Sequence, residues 1–428
     1  MKVGFAGLSH LGLVYGLATA AKGMKVCGFD PDKKLVADLR RAKFPVNEPG
    51  LESLWERNRA RVSWQANAEA LADCGLVFFS LDVATDARDR SDTRPLEKLI
   101  RVTLPHLRPG SAVVLLSQVD PGFTRQKLLP AAKGSGVNLF YQVETLVFGR
   151  AVERALHPER FIVGSSAPSD PLPEPLRRWH AAFGCPVLLM GLESAELCKI
   201  AINFFLVSSV CTTNTLAEVS SLAGADWSEI APALRLDARI GPKAYLHPGL
   251  GVGGGNLPRD LQTLRRLAGR GKTDLSLVDG WLRCSGHHRD WATRSYMKVL
   301  RGAGIQPRRA KVAIWGLAYK ENTASVKNSP SLRFLQKAPA AQKRVFDPVA
   351  RLPKKIRRVC QAGEMVEACR GADVLAILTP WPQFRKTDPR PALQVMKTRL
   401  VLDPYGVIPA SRWKQMGATC VTLGRNGL

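Results

Sequence analysis

The sequence has few of the features that mark a membrane, secreted or metal-binding protein. No run of about 18 uncharged apolar residues occurs, which predicts that there is no transmembrane segment. The chain opens on Met1-Lys2-Val3 and enters a strand-like run at once, so we expect no signal peptide. Its nine cysteines are scattered without CxxC spacing, which predicts reduced thiols and no metal site. These features indicate a cytoplasmic protein.

Acidic residues are too few to balance the basic ones. Among 428 residues, 62 are Lys or Arg and 36 are Asp or Glu, so the formal charge is +26. Residues 301–428 carry 24 of the basic and seven of the acidic residues, an excess of 17 positive charges. This surplus predicts an anionic partner: a phosphate-bearing substrate, nucleic acid or a membrane surface. For the basic clusters at 308–309 and 354–358 we favour a solvated surface over docking to nucleic acid or an anionic surface.

Strand-like runs alternate with helical patterns at both ends of the chain. Strands are predicted at 2–6, 25–29, 76–81, 112–117, 312–315, 345–346, 374–378 and 400–402. Helical patterns cover 11–22, 194–222 and 259–300, and a loop is predicted at 165–176. Because strands that alternate with helices form parallel sheets, we predict an α/β fold. It would have two Rossmann-like parallel-sheet domains joined by a central α-helical domain.

A glycine-containing turn follows the first predicted strand. Residues 7–12 read GLSHLG, which is the GxGxxG dinucleotide fingerprint with Ser9 in place of its second glycine. Gly7 allows the tight turn, Gly12 allows close packing of helix on strand, and the helix start can hold a pyrophosphate. Asp30, at the end of the second strand, would bind the ribose hydroxyls, which favours NAD over NADP. The alternative is a tight turn that binds nothing; its position together with Asp30 favours a cofactor.

Two further segments could form a site. The loop at 248–260 has five glycines within seven residues and runs into Asn256 and Asp260, which favours close approach of a ligand over a simple hinge. On the helix predicted from 194, Lys199 and Asn203 share one face among apolar neighbours. Lys199 could act as an acid, a base or an electrostatic anchor. From composition alone we prefer the alternative, a Lys whose stem lies along an amphipathic helix.

In this order, these segments resemble the nucleotide-sugar 6-dehydrogenases, the UDP-glucose/GDP-mannose dehydrogenase family. The resemblance covers nearly the whole chain. Further matching segments are EPGL at 48–51, the turn at 117–122, Glu144 with Leu146 and Gly149, the run at 158–164, RIG at 239–241, GLAYK at 316–320, Thr323 and Ser329-Pro330.

The resemblance implies both the organisation of the chain and its ligands. It implies an NAD-binding Rossmann-like domain at 1–192, a central helical domain that dimerises at 193–302 and a nucleotide-sugar-binding Rossmann-like domain at 303–428. The implied ligands are NAD and a UDP- or GDP-sugar, and the implied assembly is a homodimer. The residues implied to bind the cofactor are Gly7, Ser9, His10, Leu11, Gly12, Asp30 and Gln118. Those implied for the substrate are Arg239, Gly253, Gly254, Lys320 and Lys327, and the catalytic ones are Lys199, Asn203, Asn256, Asp260 and Glu144.

The chain departs from the family at the catalytic cysteine. The family oxidises a sugar alcohol to an aldehyde and then to an acid by two hydride transfers to NAD, and a cysteine thioester carries the second step. Asn256 stands at that cysteine's position, and the nearest cysteine in sequence is Cys284. Other departures are Leu81-Asp82-Val83-Ala84 for the family's VPTP, Phe148 for a Glu, TASVK at 323–327 for TxDxR, and Tyr405 for an Arg.

We therefore predict an NAD-dependent oxidoreductase that acts on a UDP- or GDP-sugar but does not complete the oxidation to a uronic acid. Two alternatives stay open. One is a sugar-nucleotide epimerase or isomerase that oxidises and re-reduces its substrate with tightly bound NAD. The other is a non-catalytic protein that binds a sugar nucleotide.

Overall fold

The computed structural model describes residues 1–86, 89–353 and 356–425, and the chain divides into two compact units. The first is Met1–Ile202 and the second is Asn203–Leu428, so the boundary falls inside one long helix. The central helices belong to the same unit as the second sheet, and the three-domain boundaries stay a prediction. Lys354 and Lys355 of the basic cluster at 354–358 lie outside the described residues.

The first unit is built on an eight-stranded sheet. Its chain contains the strands β1 (Lys2–Ala6), β2 (Lys25–Phe29), β3 (Val62–Gln65), β4 (Leu76–Phe79), β5 (Ala84–Thr85), β6 (Ser91–Asp92), β7 (Ala112–Leu115), β8 (Asn138–Gln142), β9 (Phe161–Ser165) and β10 (Val187–Gly191). The order in the sheet is β10-β9-β8-β7-β4-β1-β2-β3, while β5 and β6 form a separate antiparallel pair. β8 and β9 are antiparallel, and the other neighbours in the sheet are parallel.

Helices cover both faces of this sheet, which is why its central strands are continuous apolar runs. They are α1 (His10–Ala21), α2 (Lys33–Arg40), α3 (Leu51–Asn58), α4 (Arg94–Thr103), α5 (Leu129–Ala131), α6 (Ala151–Leu156), α7 (Glu174–Ala181) and α8 (Leu192–Leu222). A π-helical turn, Thr124–Leu128, precedes α5. The small and apolar residues of α1 are buried almost all round, since this helix packs on β2, α3 and α6 as well as on β1.

The second unit is built on a six-stranded parallel sheet. Its strands are β11 (Lys311–Trp315), β12 (Gln342–Phe346), β13 (Val359–Gln361), β14 (Val374–Ile377), β15 (Leu400–Leu402) and β16 (Thr419–Val421), in the order β13-β12-β11-β14-β15-β16. Its helices are α9 (Trp227–Leu236), α10 (Asn256–Arg270), α11 (Ser276–Arg289), α12 (Trp291–Gly302), α13 (Pro330–Lys337), α14 (Met365–Cys369), α15 (Pro382–Arg385), α16 (Pro389–Val395) and α17 (Ala410–Gln415).

Several of these helices begin at local capping signals. Asp226, Ser329 and Asp388 each accept a hydrogen bond from the backbone N–H two residues later, at 2.8, 3.1 and 3.2 Å respectively. Pro330 and Pro389 then occupy the first helical position, where a missing N–H costs nothing. The starts of these three helices are therefore specified by their own sequence.

The predicted fold class is confirmed, with three local differences. The sheet of the first unit contains one antiparallel pair, β8 and β9. The predicted loop at 165–176 ends early, because α7 begins at Glu174 directly after the extended Pro173. The single helical pattern at 259–300 is three helices, which are interrupted at Gly271 and Asp290.

The long helix α8 bears on the prediction that no transmembrane segment exists. By length and composition alone it could cross a membrane, a test that the core helices of soluble proteins also pass. The prediction considered only uninterrupted apolar runs. In α8 the apolar residues are separated by Ser, Thr and Asn, which add no charge, so the helix passes a hydropathy test without containing such a run.

The strand orders indicate where a ligand would bind in each sheet. In each sheet the strands are added first on one side of the first strand and then on the other. This reversal of strand order falls between β1 and β4 and between β11 and β14. Ligands of open α/β sheets bind outside the carboxyl ends of the strands at such a point.

Candidate functional site

The turn after β1 has a shape that requires two glycines. Gly7 has a φ of +93°, and a Cβ atom there would lie 2.8 Å from the Cβ of Leu81. A Cβ atom at Gly12 would lie only 2.0 Å from the carbonyl oxygen of Gly7. In residues 7–12 the helix start thus packs as closely on the turn as the dinucleotide fingerprint requires. We call these residues the phosphate-binding turn.

The loop after β4 lies against the phosphate-binding turn. The backbone N–H of Asp82 donates to the Ser9 hydroxyl at 2.8 Å, and that hydroxyl donates to the carbonyl of Ser80 at 3.1 Å. The N–H of Leu11 donates to Asp82 Oδ2 at 3.3 Å. Ser9, which replaces the second glycine of the fingerprint, therefore ties the turn to the neighbouring loop.

Asp30 lies buried where β2 ends. Its Oδ2 accepts from the N–H of Leu8 at 2.9 Å and its Oδ1 accepts from the N–H of Asp32 at 3.0 Å. Each carboxylate oxygen has a further lone pair that a ribose hydroxyl could use. The negative charge would repel a 2′-phosphate, so the residues around the turn fit NAD.

His10 is held in place by its neighbours within the first unit. Its Nε2 lies 3.1 Å from Glu48 Oε2, and its ring stacks on Phe148 with 4.4 Å between the ring centres. Glu48 also accepts from the N–H groups of Ala151 at 2.7 Å and Gly149 at 3.1 Å. Burial raises the pKa of the Glu48 carboxyl, but these hydrogen bonds outweigh it and hold that pKa below its usual range. His10 thus starts α1 with a fixed ring, and its contact with the cofactor stays a prediction.

Gln118 is buried just after β7, at the edge of the sheet that also carries the phosphate-binding turn. The turn that contains it is anchored by Glu196 of α8, whose carboxylate accepts from the N–H groups of Gly122 at 2.5 Å and Thr124 at 2.9 Å. Burial raises the pKa of Glu196. Glu196 was not among the predicted site residues, although an acid between apolar positions of a helix is the signal that could have shown it.

Lys199 and Glu144 form a buried ion pair in the first unit. Lys199 Nζ lies 2.6 Å from Glu144 Oε1 and donates to the Glu144 carbonyl at 2.9 Å. Glu144 Oε2 accepts from the N–H of Leu146 at 2.9 Å. Composition alone suggested that Lys199 extends along the helix surface and places its charge in water. That interpretation is wrong, because Lys199 is only 8% exposed. The pair instead fixes an ammonium group on α8.

Asn203 and Asp260 are in contact in the second unit. The amide nitrogen of Asn203 donates to Asp260 Oδ2 at 2.5 Å, and Arg259 Nε donates to Asp260 Oδ1 at 3.2 Å. All three side chains are buried. Arg259 was not among the predicted site residues, yet it neutralises the carboxylate that was.

The glycine-rich loop before α10 is attached to the segment at 319–328. The N–H of Gly254 donates to the carbonyl of Lys327 at 3.0 Å, and Asn328 Nδ2 donates to the carbonyl of Gly254 at 2.8 Å. Gly254 has a φ of +77°, and a Cβ there would lie 2.8 Å from the ring of Tyr319. Asn256 is the exposed first residue of α10.

This loop borders a cavity of about 770 Å³ within the second unit. The cavity lies outside the carboxyl ends of β11, β14 and β15, at the reversal point of the sheet. The residues that line it include Gly253 and Lys320, which were predicted to bind substrate. No cysteine lines the cavity among the residues that the structure describes. Arg239 is exposed and pairs with Asp237 at 2.6 Å. Its binding of the substrate stays a prediction.

Four further lining residues were missed by sequence analysis or noted only as departures: Glu321, Arg385, Lys386 and Tyr405. They follow β11, β14 and β15, so the strand-end rule could have found them once the sheet order was known. Burial raises the pKa of Tyr319 to about 12 and also raises that of Tyr405. A phenol is protonated near neutral pH in any case, and the raised pKa values keep both groups protonated, as hydrogen-bond donors, at alkaline pH too.

One cluster in the second unit bears on the prediction of no metal site. Ligand atoms of Glu218, His287 and His288 lie within 4.8 Å of one another. Arg294 Nη2 also lies in this cluster, 2.9 Å from Glu218 Oε1 and 2.8 Å from His287 Nε2. A guanidinium among the ligand atoms favours an ionic network that joins α8, α11 and α12. The absence of a metal site stays a prediction.

Comparison with known proteins agrees with these features. Residues 1–180 match the NAD binding domain of the UDP-glucose/GDP-mannose dehydrogenase family, 193–284 its central domain and 313–410 its UDP binding domain. A putative UDP-glucose 6-dehydrogenase of Bacillus subtilis is 28% identical over 99% of this chain and 100% of its own length. A UDP-glucose 6-dehydrogenase of Pseudomonas aeruginosa is 29% identical over 99% of this chain and 98% of its own.

Solved structures show the same architecture. A UDP-D-ManNAc dehydrogenase of Pyrococcus horikoshii is 22% identical and covers 100% of both chains with a TM-score of 0.85. A UDP-glucose dehydrogenase of Pyrobaculum islandicum is 25% identical, with a TM-score of 0.83, and the match covers 96% of this chain and 95% of that one. With all three domains matched in order, this chain belongs to the UDP-glucose/GDP-mannose dehydrogenase family of NAD-dependent nucleotide-sugar dehydrogenases.

Proposed function

We propose that this chain oxidises one hydroxyl group of a UDP- or GDP-sugar with NAD and does not carry the product on to a uronic acid. Asn256 is the observation that carries the proposal, because the family resemblance puts the nucleophilic cysteine there. A thiolate adds to an aldehyde and later leaves from a thioester, and a carboxamide does neither. No cysteine occurs between Cys211 and Cys284, and Cys284 is absent from the described lining of the cavity.

The cavity in the second unit supports a nucleotide sugar as the substrate. Lys320, Arg385 and Lys386 bring three positive charges to its wall and Glu321 brings one negative charge, so the wall is positive on balance, which suits a diphosphate. Its volume of about 770 Å³ lies in the usual range for pockets that enclose a small ligand. The match to a UDP binding domain makes a UDP-sugar the first substrate to test.

Removing two electrons from an alcohol needs a hydride acceptor and a base, and bound NAD supplies the acceptor. For the base and the electrostatic support we propose Asp260 and Lys199, the residues that the resemblance indicates. Asn203 and Arg259 hold both oxygens of Asp260, and Glu144 holds Lys199. Asn256 has two N–H donors and no thiol, so it can stabilise a carbonyl oxygen but cannot attack the carbonyl carbon.

The test measures product and cofactor together. The protein is incubated with NAD and UDP-glucose or GDP-mannose, NADH is read by absorbance, and the sugar is identified by mass spectrometry with a trap for aldehydes. We expect one NADH for each sugar and an aldehyde product. Two NADH and a sugar acid would overturn the proposal. An altered sugar without net NADH would favour the isomerase, and binding without either would favour the non-catalytic alternative.

We also propose that two copies associate through α8. Within the second unit this helix leaves four apolar side chains exposed: Phe205 (80%), Leu216 (44%), Val219 (50%) and Leu222 (84%). Large exposed apolar side chains on one helix are typical of a protein–protein interface. The family resemblance gives the same helix this role.

A further inference from the structure

The chain places a carboxylate of its own against the phosphate-binding turn. Asp82 Oδ2 accepts the N–H of Leu11, and the backbone N–H of Asp82 donates to the hydroxyl of Ser9. Both the side chain and the backbone of Asp82 are thus bonded to the turn. This contact joins residues 71 positions apart, and it arises because β4 lies beside β1 in the sheet.

The position that Asp82 takes is one that favours anions. The first N–H groups of a helix lack partners within it, and the helix dipole adds a partial positive charge there. α1 carries no acidic residue in its own first turn. The carboxylate that accepts the Leu11 N–H in the first turn of α1 therefore comes from the loop after β4, where the family's VPTP segment has a proline in place of the acid.

We propose that Asp82 competes with the pyrophosphate of NAD for the phosphate-binding turn and lowers the affinity of the chain for its cofactor. A carboxylate and a pyrophosphate are both anions, so they repel each other if they share these N–H groups. Asp82 as a residue is exposed, although burial around its carboxyl raises the pKa of that group. The proposal requires the side chain to turn away from the N–H of Leu11 when the cofactor arrives. The inference depends on the NAD-binding domain and not on how often the sugar is oxidised.

This competition bears on which chemistry the chain performs. An isomerase that returns the hydride to the same sugar must keep its NAD through each cycle. A residue that weakens the hold on the pyrophosphate favours exchange of the cofactor with solution. Asp82 therefore supports a dehydrogenase, which releases NADH after each turnover, over the isomerase alternative.

The test compares two neutralised acids of the same loop. Asp82→Asn removes the competing charge, and Asp86→Asn, whose carboxylate pairs with Arg90 at 2.8 Å, makes the same change in net charge away from the turn. Affinities for NAD, ADP-ribose and adenosine are measured by titration calorimetry. We expect Asp82→Asn to bind NAD and ADP-ribose about 5- to 30-fold more tightly, the size of a charge's effect at a helix terminus, and adenosine unchanged. Asp86→Asn should change none of them by more than about twofold.

The outcomes that overturn the proposal are distinct. Unchanged or weaker binding of ADP-ribose to Asp82→Asn would mean that Asp82 only supports the turn. Equal gains in both variants would mean a general charge effect. A thermal unfolding curve shows whether Asp82→Asn is folded, and Asp82→Ala, which cannot accept the Leu11 N–H, provides a second variant for the same titrations. If neither the natural chain nor a folded variant binds ADP-ribose, the proposal also fails.

Discussion

The amide group of Asn203 donates a hydrogen bond of 2.5 Å to the carboxylate of Asp260, and both side chains are buried. The second carboxylate oxygen accepts from the buried Arg259. The resemblance implied that Asn203 and Asp260 are both catalytic, and the structure joins them in one network with Arg259, a cation that was not predicted. Asp260 is therefore held in orientation and is balanced in charge.

This network predicts that Asp260→Asn destabilises the second unit. The substitution removes the carboxylate charge beside the buried Arg259 guanidinium, which we expect to lower the free energy of unfolding by about 3–5 kcal/mol. Asn203→Ala removes one hydrogen bond to a charged group and should cost only about 1.5–3 kcal/mol. Urea denaturation of the three proteins measures both changes. Equal losses in the two variants would contradict the ion-pair argument.

Asn256→Cys tests whether the missing thiol is what stops the oxidation. With a thiolate at the start of α10 we expect a second NADH for each sugar and formation of the acid. Asn256→Ser, which has no comparable nucleophile, is the matched control. A cysteine variant that binds substrate but still makes no acid would show that other departures, such as Phe148 or Lys327, also block the second step.

The basic residues of the cavity predict how the chain recognises UDP. Arg385→Ala and Lys386→Ala each remove a cation from the wall, and we expect each to weaken UDP binding roughly tenfold, the value of a hydrogen bond to a charged group. Arg390→Ala is the control, because Arg390 is exposed and pairs with Asp388 at 2.8 Å. Calorimetric titration with UDP gives the three affinities. An effect of Arg390→Ala as large as the other two would point to net charge alone.

Asp403 predicts a pH dependence of stability. Burial raises its pKa to about 6, although backbone N–H groups of Ile408, Val407 and Tyr405 partly offset this. A carboxyl with a folded pKa near 6 and an unfolded pKa near 3.8 stabilises the fold when it is protonated, below pH 4. That stabilisation, about 3 kcal/mol, is lost as the pH rises from about 4 to 6.

The comparison of Asp403→Asn with the natural chain isolates this effect. Relative to the natural chain, the variant should gain stability between pH 4 and 6 and keep the gain at pH 7. Urea midpoints measured at each pH give the difference, and Glu52→Gln, which changes an exposed acid, controls for charge. A constant difference between the two proteins across that range would show that Asp403 does not titrate there.

The exposed apolar face of α8 predicts the state of assembly. Phe205→Glu and Leu222→Glu place charges among the exposed apolar residues, and we expect each to convert a dimer into monomers. Val102→Glu on α4, at a side chain that is 40% exposed, is the control. Sedimentation velocity at several concentrations measures the mass. A natural chain that sediments as a monomer at all concentrations would remove the proposal.

Much of the fold was predictable because its signals are local. The strands at Lys2–Ala6 and Lys25–Phe29 have the predicted bounds, since a buried parallel strand is a short apolar run between turn residues. The phosphate-binding turn was recognisable because Gly7 and Gly12 are required by contacts within or beside the turn. Gly7 has a positive φ, and Gly12 leaves no room for a Cβ atom beside the carbonyl of Gly7. The predicted loop at 165–176 was partly wrong, because α7 begins inside it at Glu174, directly after Pro173.

The candidate site was predictable only in part. Composition alone favoured a Lys199 whose charge reaches into water, whereas Glu144, 55 residues away, holds it in a buried ion pair. Arg385 and Lys386 went unnoticed because no local pattern separates a ligand-binding cation from a surface one. What distinguishes them is that β14 lies beside β11.

Composition, periodicity and glycine placement thus specified an α/β chain with a dinucleotide turn and no cysteine in its second glycine loop, because these are properties of residues close together along the chain. Only the order of the strands brings Asp82 into hydrogen-bond contact with Leu11. The same holds for Lys320, Arg385 and Lys386, which line one cavity in the second unit. Strand order depends on pairing between distant segments, and the free energy of that pairing belongs to the whole packed sheet rather than to any one segment.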